Sequence, residues 1–190
     1  MDYQWQAALT AAIKKNRRDA HHRYLQLATV RADGSPANRT LVFRGFLEGT
    51  ERLQMVTDAR SEKRLQLTDD KRAELCWYFT ASREQFRLRG VLELVDADHA
   101  LFNDARERLW HALSPAAQAQ FFWPAPGLPV SVAESDDTVA KRSSEDVPTH
   151  FMLLLFEPLT VDHLRLKAMP QQRVISRRTE DLWQAEAVNP

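Results

Sequence analysis

The chain has 190 residues, and its 26 Lys and Arg are balanced by 26 Asp and Glu for a formal net charge of zero. A length of this order suits one domain over 1–190, burying about 70% of the extended chain's surface, and the neutral balance excludes a global field that would hold it on nucleic acid or an anionic membrane. The single cysteine, Cys76, excludes a disulfide scaffold, and no apolar run approaches the roughly 18 residues of a membrane span.

In chain order, Trp5, Ala8, Leu9, Ala12 and Ile13 fall at helical spacing, and Lys14, Lys15, Arg17 and Arg18 suit the C-terminal end of the dipole. Residues 23–30 read as a strand, Asp33-Gly34 as its turn and 39–46 as the return strand of a hairpin. A second turn over 47–52 leads to a short strand at 53–57, and Ser61 stands where it would cap a helix over 61–67. The longest strand signal, 73–95, breaks at the polar turn 80–84, and Cys76 inside it reads as a small buried hydrophobe. Beyond the break, Arg83, Gln85, Arg87 and Arg89 point one way and Phe86, Leu88, Leu92 and Leu94 the other. A helix over 98–113 stops at Ser114-Pro115. Next come an aromatic, proline-rich ordered loop at 121–129 and a Ser-, Asp- and Glu-rich stretch at 131–148 that reads as a mobile loop. Apolar runs at 151–156 and 159–166 and shorter ones at 173–176 and 182–188 complete six to eight strands with two or three helices. This count predicts a mainly β fold, a closed antiparallel barrel with peripheral helices.

The sequence has no GxGxxG, P-loop, GxSxG or HExxH motif, and one cysteine cannot form a CxxC pair. The six histidines scatter, His21-His22 read as a solvated pair, and no metal site is placed. Residues 1–15 lack a basic start followed by an apolar stretch, so the expected location is cytoplasmic.

Three segments carry chemistry. In RTLVFR (39–44), Arg39 and Arg44 bracket Leu41, Val42 and Phe43; the pair reads either as solvated surface arginines or as cations gripping a phosphate while the strand lies along a ring. In TDARSEK (57–63), Thr57, Ser61 and a helix start offer donors beside Arg60 and Lys63, either an ordinary capped helix or a phosphate site. In REQFRLRG (83–90), a strand face with three arginines and Gln85 must be wet or meet an anion, a carboxylate or another subunit. Gly90 marks a bulge or a close backbone approach.

Together, and in this order, the segments resemble the pyridoxamine 5′-phosphate oxidase family of FMN-binding split-barrel proteins. Arg39 to Arg44 matches the family's R-x-V-L-L-K strand, Val56 to Lys63 its Y-T-N-x-x-S-R-K segment, and Gln85 to Gly90 its R-Q-V-x-x-x-G strand. The resemblance implies an antiparallel, Greek-key-like split barrel that is a homodimer with FMN in the cleft between subunits. By position, Arg39 and Lys63 would contact the phosphate, and Thr57 and Ser61 would hydrogen-bond it. Thr40, Leu41, Val42 and Phe43 would line the isoalloxazine, Gln85 would meet its polar edge, and Arg173 would reach the flavin of the other subunit.

The departures are specific. Glu62 replaces a family arginine, for which Arg60 is the substitute. The substrate-gripping R-L-H-D motif is absent, the nearest stretch being Met169-Pro170-Gln171-Gln172-Arg173, and FFWPAPG stands in place of a Q-S pair. The resemblance therefore implies an FMN-dependent oxidoreductase of unknown substrate. A flavin carrier or sensor without turnover, and a barrel that has lost its ligand, are the alternatives.

Overall fold

The computed structural model describes residues 3–130, 146–180 and 182–190. The stretch 131–148, expected to form a mobile loop, lies outside the described residues for 131–145. Helix α1 (Trp5–Lys15) precedes the hairpin β1 (Tyr24–Val30) and β2 (Pro36–Val42), followed by β3 (Gly45–Phe46) and β4 (Leu53–Asp58). Helix α2 (Glu62–Asp69), β5 (Arg72–Phe79) and β6 (Glu84–Val95) come next, then α3 (Asn103–His111) and α4 (Pro115–Ala119). The chain ends with β7 (Phe151–Arg165), β8 (Gln172–Thr179) and β9 (Leu182–Val188).

All strand pairings are antiparallel, in the order β2-β1-β5-β6-β7-β4-β3, with β8 on β7 and β9 on β8. The path ends at β2 and β3, which are not paired with each other, so the sheet curls into a half-barrel, the split form that the family resemblance implies rather than the closed barrel that the strand count predicts. Its concave side holds Leu25, Leu27, Leu75, Trp77, Phe86, Leu88 and Phe156, and α1 inserts Trp5, Leu9 and Ala12 among them.

Strand β7 organises the curl. Its first half pairs with β4, its second half with β8, and β6 runs along both. Leu154 and Phe156 face the barrel core, whereas Leu153 and Leu155 face α3 through Leu109 and Ala105. Burial on both faces explains why 151–156 is an unbroken apolar run. The two strands expected at 151–156 and 159–166 are one, because a register shift at Arg89/Gly90 absorbs Pro158, which has no N–H to donate to a ladder.

Two other boundaries differ from expectation for local reasons. The return strand of the first hairpin ends at Val42: the Phe43 amide donates to the Arg23 carbonyl at 2.8 Å, but the Arg44 amide donates to Gln54 of β4, also at 2.8 Å. The chain thus crosses to the other half of the sheet between these residues, and Gly45 (φ +128°) permits the turn into β3. Helix α3 starts at Asn103 rather than Asp98, because His99 Nδ1 accepts from the amides of Leu101 and Phe102 at 3.3 and 3.2 Å and holds a turn ahead of it. Arg83 leaves the strand altogether, with φ at 52° in the turn before β6.

Candidate functional site

The crossing at Arg44 faces the end of β4 and the start of α2. Between them lies a pocket of about 380 Å³, lined by Arg44, Val56, Thr57, Asp58, Ser61 and Lys63 on one side and closed by Phe121 and Trp123 from the loop after α4. Ser61 occupies the N-cap of α2, yet its side chain makes no capping bond; its hydroxyl lies 3.2 Å from that of Thr57. Two hydroxyls and a helix N-terminus without a side-chain cap therefore meet at one place.

The two cations there lack anions. Burial pushes the Lys63 ammonium below its usual pKa and nearby Arg39 adds to this, against the pull of Asp58 and Glu62. Burial likewise lowers Arg44, helped by Arg23, and its Nε is buried without a hydrogen-bond partner. Among the described residues no carboxylate lies within 4.0 Å of either side chain. Desolvated cations without counter-charges favour an anion in the pocket.

The nearest acid, Asp58, is already neutralised. Burial would raise its carboxyl, but Arg60 overrides this through side-chain and backbone hydrogen bonds, with Nη2 at 2.6 Å from Oδ2. Arg60 also donates to the Phe121 carbonyl at 3.3 Å, which ties the pocket loop to β4. Glu62 turns away to Arg31 at 3.3 Å.

The remaining expected residues are spread more widely. Arg39 braces α2 against β1, donating to Thr29 Oγ1 at 2.5 Å and to Gln66 Oε1 at 2.8 Å, and is not in the pocket wall. Thr40, Leu41 and Val42 pair with Gln26, Leu25 and Tyr24 of β1, and the Phe43 ring packs in the core on Trp77 and Phe46. Gln85 and Arg173 lie on the outer face of the sheet, one on each side of Leu164, and neither lines the pocket. Asp162 lies between Arg87 and Arg173, so a carboxylate, one of the alternatives that the arginine-rich strand face leaves open, meets Arg87 there. The pocket residues Phe121 and Trp123 were legible only as an ordered loop.

An antiparallel split half-barrel with a cationic, hydroxyl-lined pocket at a helix N-terminus is the architecture of a protein that binds a phosphorylated cofactor. The family described as "Pyridoxamine 5'-phosphate oxidase, FMN-binding domain" matches residues 2–96. A pyridoxine/pyridoxamine 5′-phosphate oxidase 2 of Arabidopsis thaliana is 38% identical over 191 aligned positions, covering 98% of this chain and 96% of its own. The crystal structure of a pyridoxamine 5′-phosphate oxidase-related, FMN-binding protein from Nostoc punctiforme superposes with a TM-score of 0.92 at 44% identity over 100% of both chains. PhzG of Burkholderia lata, at 19% identity, shares the fold with a TM-score of 0.77 over 98% of this chain and 89% of its own. The chain belongs to the pyridoxamine 5′-phosphate oxidase FMN-binding family, and its cofactor is FMN. The donor set fits that group: a dianionic phosphate would supply the counter-charge that Arg44 and Lys63 lack.

Proposed function

We propose that the protein is an FMN-dependent oxidoreductase that works as a homodimer. The observation that carries this reading is the pair of desolvated, unpartnered cations, Arg44 and Lys63, beside the Thr57 and Ser61 hydroxyls. FMN supplies the two-electron transfer chemistry when bound. Lys63, Thr57 and Ser61 hold its phosphate, with Arg44 on the same side of the pocket. Arg39 acts from behind by fixing α2 through Gln66. Thr40, Leu41 and Val42, on the strand next to the crossing, run along the ring, as does the backbone of Phe43. Gln85 and Arg173 serve the flavin ring of the partner subunit, since they share an outer face of the sheet and neither lines their own chain's pocket.

No side chain is assigned a proton-transfer role. The first substrates to test are pyridoxine and pyridoxamine 5′-phosphates, which the name of the Arabidopsis relative attaches to that protein. In this chain 169–173 reads MPQQR, and Met169 is 93% exposed. A yellow protein whose flavin is bleached anaerobically by one of these phosphates, or by another donor, supports an oxidoreductase. A flavin that no donor reduces identifies a carrier.

A further inference from the structure

The wall of the pocket opposite α2 carries an indole to which the phosphate assignment gives no role. Trp123 lines the pocket with Phe121, Pro124 and Pro126, yet it is 47% exposed, whereas Phe121 is 7% exposed. The two aromatics therefore differ in what they do. The Phe121 ring is an anchor, packed on Trp110 and Phe151 with centroids 5.7 and 4.9 Å apart. The Trp123 indole stands on the rim, with one side on the pocket and much of its surface in solvent.

The backbone fixes that position. The Phe121 carbonyl accepts from His150 Nε2 at 2.5 Å and from Arg60 Nη2 at 3.3 Å, and the His150 carbonyl accepts the Ala59 amide at 2.8 Å. The loop is thereby tied to the end of β4, beside Thr57 and Asp58. Trp123 follows a single 3-10 turn, Gln120–Phe122, and is extended (φ −73°, ψ 163°), the conformation that a following proline favours. Pro124 and Pro126 restrict the chain beyond it.

We propose that Trp123 is a specificity-determining residue that admits a flavin mononucleotide and shuts out a flavin dinucleotide. This role rests on the phosphate being held by Lys63, Thr57 and Ser61. In a dinucleotide the same phosphate carries a second phosphate and an adenosine, which must leave the pocket past whatever faces α2. Here that is Trp123, Pro124 and Pro126. The volume of about 380 Å³ is near the lower end of ligand pockets, roughly 300–1,000 Å³, so an adenosine finds room only if this wall retreats. A rigid wall acts against the wrong ligand rather than for the right one. Lys63 and Arg44 also favour a terminal dianion, but the two effects differ in sign. Loss of a cation weakens the mononucleotide, whereas loss of the wall strengthens the dinucleotide.

The test is competitive equilibrium dialysis of the full-length protein with FMN, FAD and riboflavin, repeated on Trp123→Ala, Trp123→Phe and Lys63→Ala. Chromatography of the retained flavin gives each affinity. Trp123 is exposed enough to be replaced without opening the core, and thermal unfolding checks that each variant folds. Expected is a wild-type preference for FMN over FAD of about 100-fold or more, reduced about tenfold or more in Trp123→Ala through tighter FAD binding and largely restored in Trp123→Phe. An indole with a merely structural role would weaken both flavins together. Equal wild-type affinity for FMN and FAD, an unchanged preference in Trp123→Ala, or a preference reduced only through loss of FMN overturns the proposal. Failure of the phosphate reading shows separately, as a Lys63→Ala protein that keeps the wild-type preference for FMN over riboflavin.

Discussion

A β-carbon built on Gly90 lies 2.0 Å from the backbone carbonyl oxygen of Glu157. The constraint is space, since β6 and β7 approach here at the bulge that lets Pro158 sit inside a strand. Gly90→Ala must push one backbone off the other, a cost of about 1–3 kcal/mol or more by analogy with overpacked cores. Urea unfolding should show a lower midpoint with an unchanged slope. A wild-type midpoint would mean that the strands are not this close.

Arg106 is 1% exposed with no carboxylate within 4.0 Å among the described residues. It donates instead to the carbonyls of Phe151 and Pro148, each at 2.7 Å, and to Asn103 Oδ1 at 3.2 Å, locking the start of β7 to α3. Arg106→Met removes the donor to both carbonyls, of which Pro148 keeps the Phe151 amide at 3.0 Å, and should cost about 1–3 kcal/mol, with Arg106→Lys recovering little because it lacks the fork. Denaturant midpoints of the two variants check this; a stable Met variant would contradict it.

His163 links the N-terminal segment to the barrel. Its Nδ1 accepts from the Tyr3 hydroxyl, its Nε2 meets Glu84 Oε2 at 3.0 Å, and its ring stacks on Phe86 at 3.9 Å. Burial pushes its pKa down to about 4 from 6.5, with Arg165 adding to this and Glu84 and Asp162 opposing it; Lys15 faces Glu84 from α1 at 3.8 Å. Between those two pH values the unfolded chain holds more protons than the folded one, so stability rises with pH. The contribution is complete above pH 6.5 and is lost as pH falls to about 4. It is on the order of 3 kcal/mol. His163→Gln should flatten this acid slope in denaturation measured across the window. An unchanged slope would assign it to other groups.

Local patterns made much of the fold legible. The alternation of Phe86 and Leu88 with Gln85 and Arg87 set the two faces of β6, and Asp33-Gly34 set the first hairpin. Long-range partners were not legible: Arg39 meets Gln66 and Thr29, and Arg87 meets Asp162, through pairings that only the folded sheet creates. Pro158 read as a break because nothing local reveals that a bulge opposite Arg89 will accommodate it. The site was half legible for the same reason. TDARSEK is contiguous, so its hydroxyls and Lys63 group by sequence alone, whereas Arg44 reads there only as the twin of Arg39, and the crossing of the sheet is what puts it, not Arg39, beside Lys63.

The phosphate assignment separates Lys63 from Arg39. Lys63 lies in the pocket wall and Arg39 behind it, so Arg39→Ala should act mainly through the seating of α2. Its loss of FMN affinity should be smaller than that of Lys63→Ala, and it should be accompanied by a lower unfolding midpoint that Lys63→Ala does not share. Fluorescence titration of FMN alongside denaturation distinguishes the two. Equal losses with no change in stability would place both cations on the ligand.

The most direct test of the cofactor pocket compares FMN with riboflavin, which differ by the phosphate alone. In wild type FMN should bind far more tightly. Lys63→Ala and Arg44→Ala should each weaken FMN by about 1.5–3 kcal/mol, roughly 10- to 150-fold, while riboflavin affinity stays where it was. Equal losses for both flavins, or no loss for either, would contradict a phosphate held by these two cations.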